Sequence, residues 1–330
     1  MSTVSSASRV ANSARRLLLA VLCALPLAAF AQGYPNKPIR VVSPWPPGGP
    51  ADGLARPIFE RMSEVLGQPM VILNRPGANG EVGTASVAAA EPDGYTVLFA
   101  STGPNVMSLA MQRNVKYEAI GSFEPITIFA DSPSVIVVRA SLPVRNLQEL
   151  VEHAKRNPGT LTYASAGAGS APQISLESLK RAAGIDIREI PYPGMAAATV
   201  DVLADRVDVM SAQFGNLLPH IQAGKLRAMG VATGKRSLLM PEVPTVAEVI
   251  PAYIPTNSWY GLMVPKGTPK EVVDKLYAAS VTALRTPALE QKLKTLGLDI
   301  ALPTPAAFTE DLKKGLETWT RQMKVLGMVK

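Results

Sequence analysis

The feature that most constrains the fold is an alternation of short apolar runs with stretches of helical periodicity, sustained from Ile39 through the C-terminal third. Ile39–Ser43 is apolar and β-branched, as a buried strand is. After a Pro/Gly turn, Leu54, Ile58, Met62 and Val65 recur at helical spacing over about Ala51–Leu66, and Gly67 stands where the helix should stop. Met70–Leu73 is the next strand. Thr96–Ala100 follows the Pro92-Asp93-Gly94 turn as another. Strands separated by whole helices cannot pair as tight hairpins, so the pattern predicts an α/β protein with a largely parallel sheet covered by helices.

The rhythm then repeats. Ser134–Val138 is a predicted strand, and Asn146 with Glu149 three residues on predicts a capping box for the helix that Asn157-Pro158-Gly159 ends. Strands over Leu161–Ala164, Ile187–Ile190, Val207–Met210 and Arg227–Val231 alternate with helices over about Pro172–Ala183 and Ala196–Leu203. Thr268-Pro269-Lys270-Glu271 predicts a second capping box. Thr304-Pro305 opens a helix with Phe308, Leu312, Leu316, Trp319, Met323 and Leu326 on one face. Two proline-flanked passages, Phe123–Pro133 and Pro251–Pro265, predict crossings between two lobes. The first lobe is then discontinuous, 32–130 plus 255–330, around a second lobe at 131–254. Paired connections of this kind form a hinge.

Residues 1–31 carry the three parts of a secretory signal peptide. Arg9, Arg15 and Arg16 form a basic start, Leu17–Phe30 is apolar but for Pro26, and Ala29-Phe30-Ala31 is a small-x-small cleavage site. The apolar run is short for a membrane span, which needs about 20 residues. Cleavage after Ala31 removes Cys23, the single cysteine, and lowers the formal charge from +7 to +4. The mature chain therefore has no thiol nucleophile and no cysteine metal site. Its remaining cations are scattered: Arg40, Arg56, Arg61, Arg75 and Arg113 make no basic stripe, which argues against a nucleic-acid partner.

In open α/β sheets ligands sit beyond the carboxyl ends of the strands. Four predicted loops occupy that position: Pro44 to Asp52, with Trp45, Pro47, Gly48 and Gly49; Ser101 to Asn105, with Gly103; Ser165 to Pro172, with Ala166, Gly167, Gly169 and Ser170 and then Gln173; and Pro191 to Met195, with Tyr192 and Gly194. They are rich in Gly, Ser and Thr and almost free of charge. Glycine admits a ligand to the backbone, and helix starts offer unbonded N–H groups, so the loops predict an anion site without Arg or Lys. Asp52 and Asp208 are the nearest acids, with structural roles as probable as ligand contact. Gly167-Ala168-Gly169-Ser170 lacks the Lys of a phosphate loop and the spacing of a nucleophile elbow. His153 and His220 are the only histidines and neither makes a recognisable triad with a serine. No catalytic residue, metal or cofactor is expected.

Several motifs together resemble the Bug family, the extracytoplasmic receptors of tripartite tricarboxylate transporters. They are Tyr34-Pro35-Asn36-Lys37-Pro38-Ile39-Arg40, Pro46-Pro47-Gly48-Gly49-Pro50-Ala51-Asp52, Asn74-Arg75-Pro76-Gly77-Ala78-Asn79-Gly80, Pro92-Asp93-Gly94-Tyr95, Tyr163 to Ser170, Pro241-Glu242-Val243-Pro244-Thr245 and Trp259-Tyr260-Gly261-Leu262. The resemblance implies a type II periplasmic-binding fold that closes two lobes on one small carboxylate. It also implies a monomer in the periplasm that hands its ligand to membrane transporter subunits. The carboxylate is expected to bridge Gly48-Gly49 and Ala166 to Ser170. The chain departs from the family pattern in two places: Pro172 and Gln173 stand where a His is common, and Pro193 replaces the Lys of Pro-Tyr-Lys-Gly. A receptor feeding a membrane sensor kinase would use the same chemistry, and a periplasmic hydrolase built on Ser170 would need a base.

Overall fold

The structure is a computed structural model that describes residues 33–112, 114–167 and 169–329. The predicted signal peptide, with Cys23 and the cleavage site, lies outside the described residues, as do Arg113 and Ala168. The chain divides into the units Met1–Lys37 and Pro38–Lys330. Residues 33–37 of the first unit form neither helix nor strand.

The second unit carries two sheets. Six strands build the first, in the order β11-β4-β10-β3-β1-β2: β1 (Ile39–Ser43), β2 (Met70–Asn74), β3 (Thr96–Ser101), β4 (Phe123–Asp131), β10 (Trp259–Pro265) and β11 (Asp299–Ile300). Five build the second, in the order β7-β6-β8-β5-β9: β5 (Ser134–Arg139), β6 (Thr162–Ser165), β7 (Arg188–Pro191), β8 (Val209–Gln213) and β9 (Leu226–Val231). The helices are α1 (Pro50–Leu66), α2 (Glu81–Ala88), α3 (Leu147–Arg156), α4 (Ala171–Ala183), α5 (Met195–Leu203), α6 (Phe214–Gln222), α7 (Val246–Val249), α8 (Lys270–Leu284), α9 (Pro287–Thr295) and α10 (Pro305–Val325). A helical segment also follows β3, with wide turns at Gly103–Met107 and an α-turn at Ser108–Ala110.

The sheets are mixed, which corrects the largely parallel expectation. β1 runs parallel to β2 and β3, and β6 parallel to β7 and β8. β10 is antiparallel to β3 and β4, and β5 antiparallel to β8 and β9. The cause is the crossing itself. β5 and β10 each enter their sheet from the other lobe and run away from the junction, while most of their neighbours run towards it. The passages taken for crossings are thus mostly central strands, and the linkers are short. Ser132 N donates to Ser258 O (2.8 Å), Ala232 N to Ser134 O (2.8 Å) and Thr256 N to Ala232 O (2.9 Å), so the two crossings are bonded side by side.

Each sheet is covered on both faces. In the first lobe, Phe59 of α1 meets Phe99 and Phe129 edge-on at 5.8 Å. On the opposite face Phe308, Leu312, Trp319 and Met323 of α10 are buried with Met263 and Phe123. In the second lobe Leu147, Leu150 and Ala154 of α3 join Leu176 and Leu179 of α4 on one face, and Ala198, Val202, Phe214 and Leu217 fill the other. Burying one such large side chain contributes roughly 1.5–3 kcal/mol.

Candidate ligand-binding site

β1, β3 and β4 of the first lobe and β6, β7, β8 and β9 of the second all end at the junction, so their loops face one another there. The first loop is organised by an acid. Asp52 is 2% exposed. Its Oδ2 accepts from Gly48 N (3.0 Å) and Arg56 Nε (2.7 Å), and its Oδ1 from Asn74 Nδ2 (3.2 Å). Burial alone would raise the pKa of this carboxyl; the Gly48, Arg56 and Asn74 bonds outweigh it and hold the pKa below its ordinary value. Asn74 Nδ2 also donates to Trp45 O (2.9 Å). Asp52 is therefore a strut of the loop. Contrary to expectation, the Gly48 amide turns inward to it.

The second-lobe loop is organised in the same way by Glu189 of β7, which sequence reasoning missed. Ser165 Oγ donates to Glu189 Oε1 (2.5 Å) and accepts from Gly167 N (3.0 Å). Gln173 Nε2 donates to Glu189 Oε2 (2.9 Å), while Gln173 Oε1 accepts from Gly169 N (2.7 Å). Gly167 and Gly169 sit at φ 89° and 74°, a region that favours glycine. Ser170 N donates to Gly167 O (3.1 Å), and its hydroxyl accepts from Gln173 N (3.4 Å) at the start of α4. Most of the amides expected to face an anion are thus bonded within the loop.

Other predicted residues are held elsewhere. Asn105 is fully buried, accepting from Ser101 N (3.3 Å). Tyr192 donates its OH to Asp201 Oδ2 (2.8 Å), and Gly194 precedes α5. Asp208 lies at the amino end of β8, the end away from the junction, where it pairs with Arg139 Nε (2.8 Å) and accepts from Thr162 N (2.8 Å). It immediately precedes β8, which begins at Val209 and runs towards the junction, so Asp208 lies away from the cavity at the strand ends.

Between the loops lies a cavity of about 220 Å³. Trp45, Ser101, Gly103, Gly169 and Ser170 line it, as predicted for the site, together with Asn79, Thr102, Met107 and Ala171. Gln213, Ser258, Trp259 and Tyr260 close it at the hinge. Pro47, Gly48, Gly49, Ala166 and Gly167 stand outside its lining. No lining side chain carries a formal charge. Trp45 and Ser101 each contribute a buried polar atom, Trp45 Nε1 and Ser101 Oγ, that has no partner among the described residues. Trp259-Tyr260 was visible as a motif; Gln213 and Ser258 carry no local signal.

A larger cavity of about 480 Å³ lies at the β4–β11 side of the hinge, beside Lys235 and Trp319. Its central charges already answer one another. Lys235 Nζ pairs with Asp131 Oδ2 (2.8 Å), and burial raises the pKa of Asp299 beside them, Lys235 opposing that rise and Asp131 adding to it. The smaller cavity lies at the strand ends and has no charged side chain in its lining. For catalysis the arrangement offers little: His153 and His220 lie in the last turns of α3 and α6, and the Ser170 hydroxyl caps α4. Among the described residues no group of three or more His, Cys, Asp or Glu could hold a metal, and no helix is long and apolar enough to cross a membrane.

Residues 54–327 match the family model described as tripartite tricarboxylate transporter family receptor. The chain is similar to the periplasmic binding protein BugD, at 36% identity and a TM-score of 0.74, over 90% of this chain and 100% of that one. It is similar to MatC from Rhodopseudomonas palustris with bound malate, at 30% identity and 0.72, over 88% and 99%. A second R. palustris protein, solved with adipate, matches at 30% identity and 0.76, over 89% and 99%.

Proposed function

Because this chain belongs to the tripartite tricarboxylate transporter receptor family, we propose that it is a periplasmic receptor that captures a small carboxylate between its lobes and presents it to membrane transporter subunits. The observation that carries this reading is the cavity at the strand ends, lined by uncharged polar residues with no acidic side chain among them. A carboxylate meets only donors and dipoles there, and bonds from neutral donors to a charged group are about twice as strong as neutral ones. The malate and adipate held by two family members fit the same chemistry. Binding without turnover is the expected mode, since the Ser170 hydroxyl accepts a bond from Gln173 N and neither histidine shares its helix.

The test is calorimetric titration of the mature protein with malate, adipate and benzoate, followed by recovery of the acid. Binding by at least one acid, returned unchanged, is expected. Conversion beyond stoichiometry that vanishes in Ser170→Ala would replace the receptor with a hydrolase. Export is checked separately: intact mass of periplasmic material should lack residues 1–31, and a retained segment or a lipid on Cys23 would overturn the localisation.

A further inference from the structure

We infer that the second-lobe segment from Thr233 to Met240 is a strap across the hinge, which restrains the lobes by docking Lys235 and the Leu238 amide on Asp131 and Asp299 of the first lobe. None of its residues lines the 220 Å³ cavity. Only its effect on ligand affinity rests on the receptor reading.

The segment is tied to its own lobe at both ends. Val231 N donates to Pro244 O (2.9 Å), and Leu239 and Met240 pack against the apolar core of the second lobe. Arg236 Nε donates to Glu248 Oε2 of α7 (3.0 Å), and its Nη1 to Pro241 O (2.9 Å). Between these anchors the chain reaches across. Thr233 Oγ1 donates to Lys235 O (2.9 Å), and Gly234 N donates to Asn257 Oδ1 (3.3 Å) in the second crossing. Lys235 Nζ then meets Asp131 Oδ2 at 2.8 Å, and the Asp299 carboxylate accepts from Leu238 N. Lys235 and Arg236 are thus sequence neighbours whose charges are bound to different lobes.

The first lobe is charged to receive a cation there. Asp131 and Asp299 are Cα partners in the β4–β11 ladder, and like charges directly opposite each other across a ladder repel. Asp311 and Lys314 of α10 line the same 480 Å³ cavity, so the first-lobe wall sets three carboxylates against one ammonium. Lys235 is the cation that the second lobe brings to offset them. Asp299 is 7% exposed, and it follows both crossings in the chain, on an edge strand carried by the first lobe alone. A swing of the lobes about the crossings therefore changes its spacing from Lys235 and Leu238. Contacts that exist in one arrangement and not in the other bias the equilibrium between them. A ligand held between lobes binds the arrangement that forms its cavity, so a lost bias appears as lost affinity.

The experiment measures lobe spacing in the unliganded mature protein, with spin labels on Glu60→Cys of α1 and Glu152→Cys of α3, both exposed. Cys23, the one native cysteine, is lost with residues 1–31, so the labels are unique. Pulsed electron resonance should give one narrow distance in the otherwise native protein. Lys235→Glu sets a fourth carboxylate against the other three. It should broaden that distribution and weaken binding roughly tenfold for whichever of malate, adipate and benzoate the wild type binds. Adding Asp131→Lys reverses the pair. It should restore the narrow distance and bring affinity to within about threefold of wild type, which a purely local packing role for Lys235 would not do. Lys235→Ala, the milder variant if the reversal does not fold, should act in the same direction by about threefold, as suits a half-exposed ion pair. Circular dichroism confirms each fold. An unchanged distance distribution and affinity in folded Lys235→Glu and Lys235→Ala, or tighter binding by either, would show that the segment is no restraint, with the receptor reading intact. If none of the three acids binds the wild type, the carboxylate reading falls, while the distances in the unliganded protein still decide the strap.

Discussion

At the residue scale, two acids organise the loops of the candidate site. Asp52 holds the first loop, and Glu189, through Ser165 and Gln173, holds the second. Asp52 leads to a signed prediction. Its folded pKa lies below the ordinary 3.8, so its stabilising contribution is present above that value and is lost as pH falls through the lower, folded one. Asp52→Asn should therefore cost about 2 kcal/mol at pH 7, since a charged acceptor for Gly48 and Arg56 is lost. The gap should narrow below about pH 4. Urea midpoints of both proteins at pH 7 and pH 3 measure this, and a gap that widens in acid would contradict it. Local sequence left Asp52 equally open to ligand contact or structure. Its bonding to Asn74, far along the chain, supports the structural role.

At the element scale, capping chemistry was legible where it stayed local. Asn146 Oδ1 accepts from Glu149 N (2.9 Å), as the spacing predicted, although the Glu149 side chain reaches Arg145 N rather than the Asn146 amide. Asn146→Ala should lower the unfolding free energy by about 1 kcal/mol, with Asn146→Ser recovering most of it; chemical denaturation is the measurement. The second predicted box does not form. Thr268 Oγ1 donates to Pro265 O (2.8 Å), and Pro269 precedes the first turn of α8 without a side-chain cap. Thr245 and Glu248 make the complete box instead, before the short helix α7. Proline misled the reading of β4 and β10: Pro125 and Pro265 lie in strands, Pro125 beside a shift in register. Gly261 sits at another such irregularity, where a Cβ would come within 2.6 Å of Thr127 O. Gly261→Ala should cost about 1–3 kcal/mol through overpacking of the hinge strand. A thermal midpoint equal to wild type would show that the bulge relaxes.

At the scale of the whole molecule, the lobes touch beyond the hinge. Ile174 of α4 is buried in the apolar cluster of the first lobe, and Gln322 Nε2 of α10 donates to Ser178 Oγ of α4 (2.6 Å). Gly215, at the start of α6, lies so close to Leu296 and Gly297 that a Cβ would overlap the Leu296 carbonyl. Gly215→Ala should hold the lobes apart at this seam without changing the identity of any cavity-lining residue. The expected outcome is roughly tenfold weaker binding of the acid that the wild type binds, with a larger radius of gyration in solution scattering. Wild-type affinity and scattering in a folded Gly215→Ala protein would show that the seam is not needed for capture.

Periodicity and turn residues alone determined the α/β class, most element positions and the clustering of charge-poor loops at strand ends, because each depends on neighbours within a few residues. Trp45, Ser101, Gly103, Gly169 and Ser170, which line the cavity, were legible as loop residues at strand ends for that reason. Strand direction, the roles of Glu189 and Gln213, and the engagement of the Gly48 amide were decided only in three dimensions. Each depends on which distant segment arrives alongside. β5 and β10 run backwards because they come from the other lobe, and a donor is available to a ligand only if no distant acceptor has already taken it.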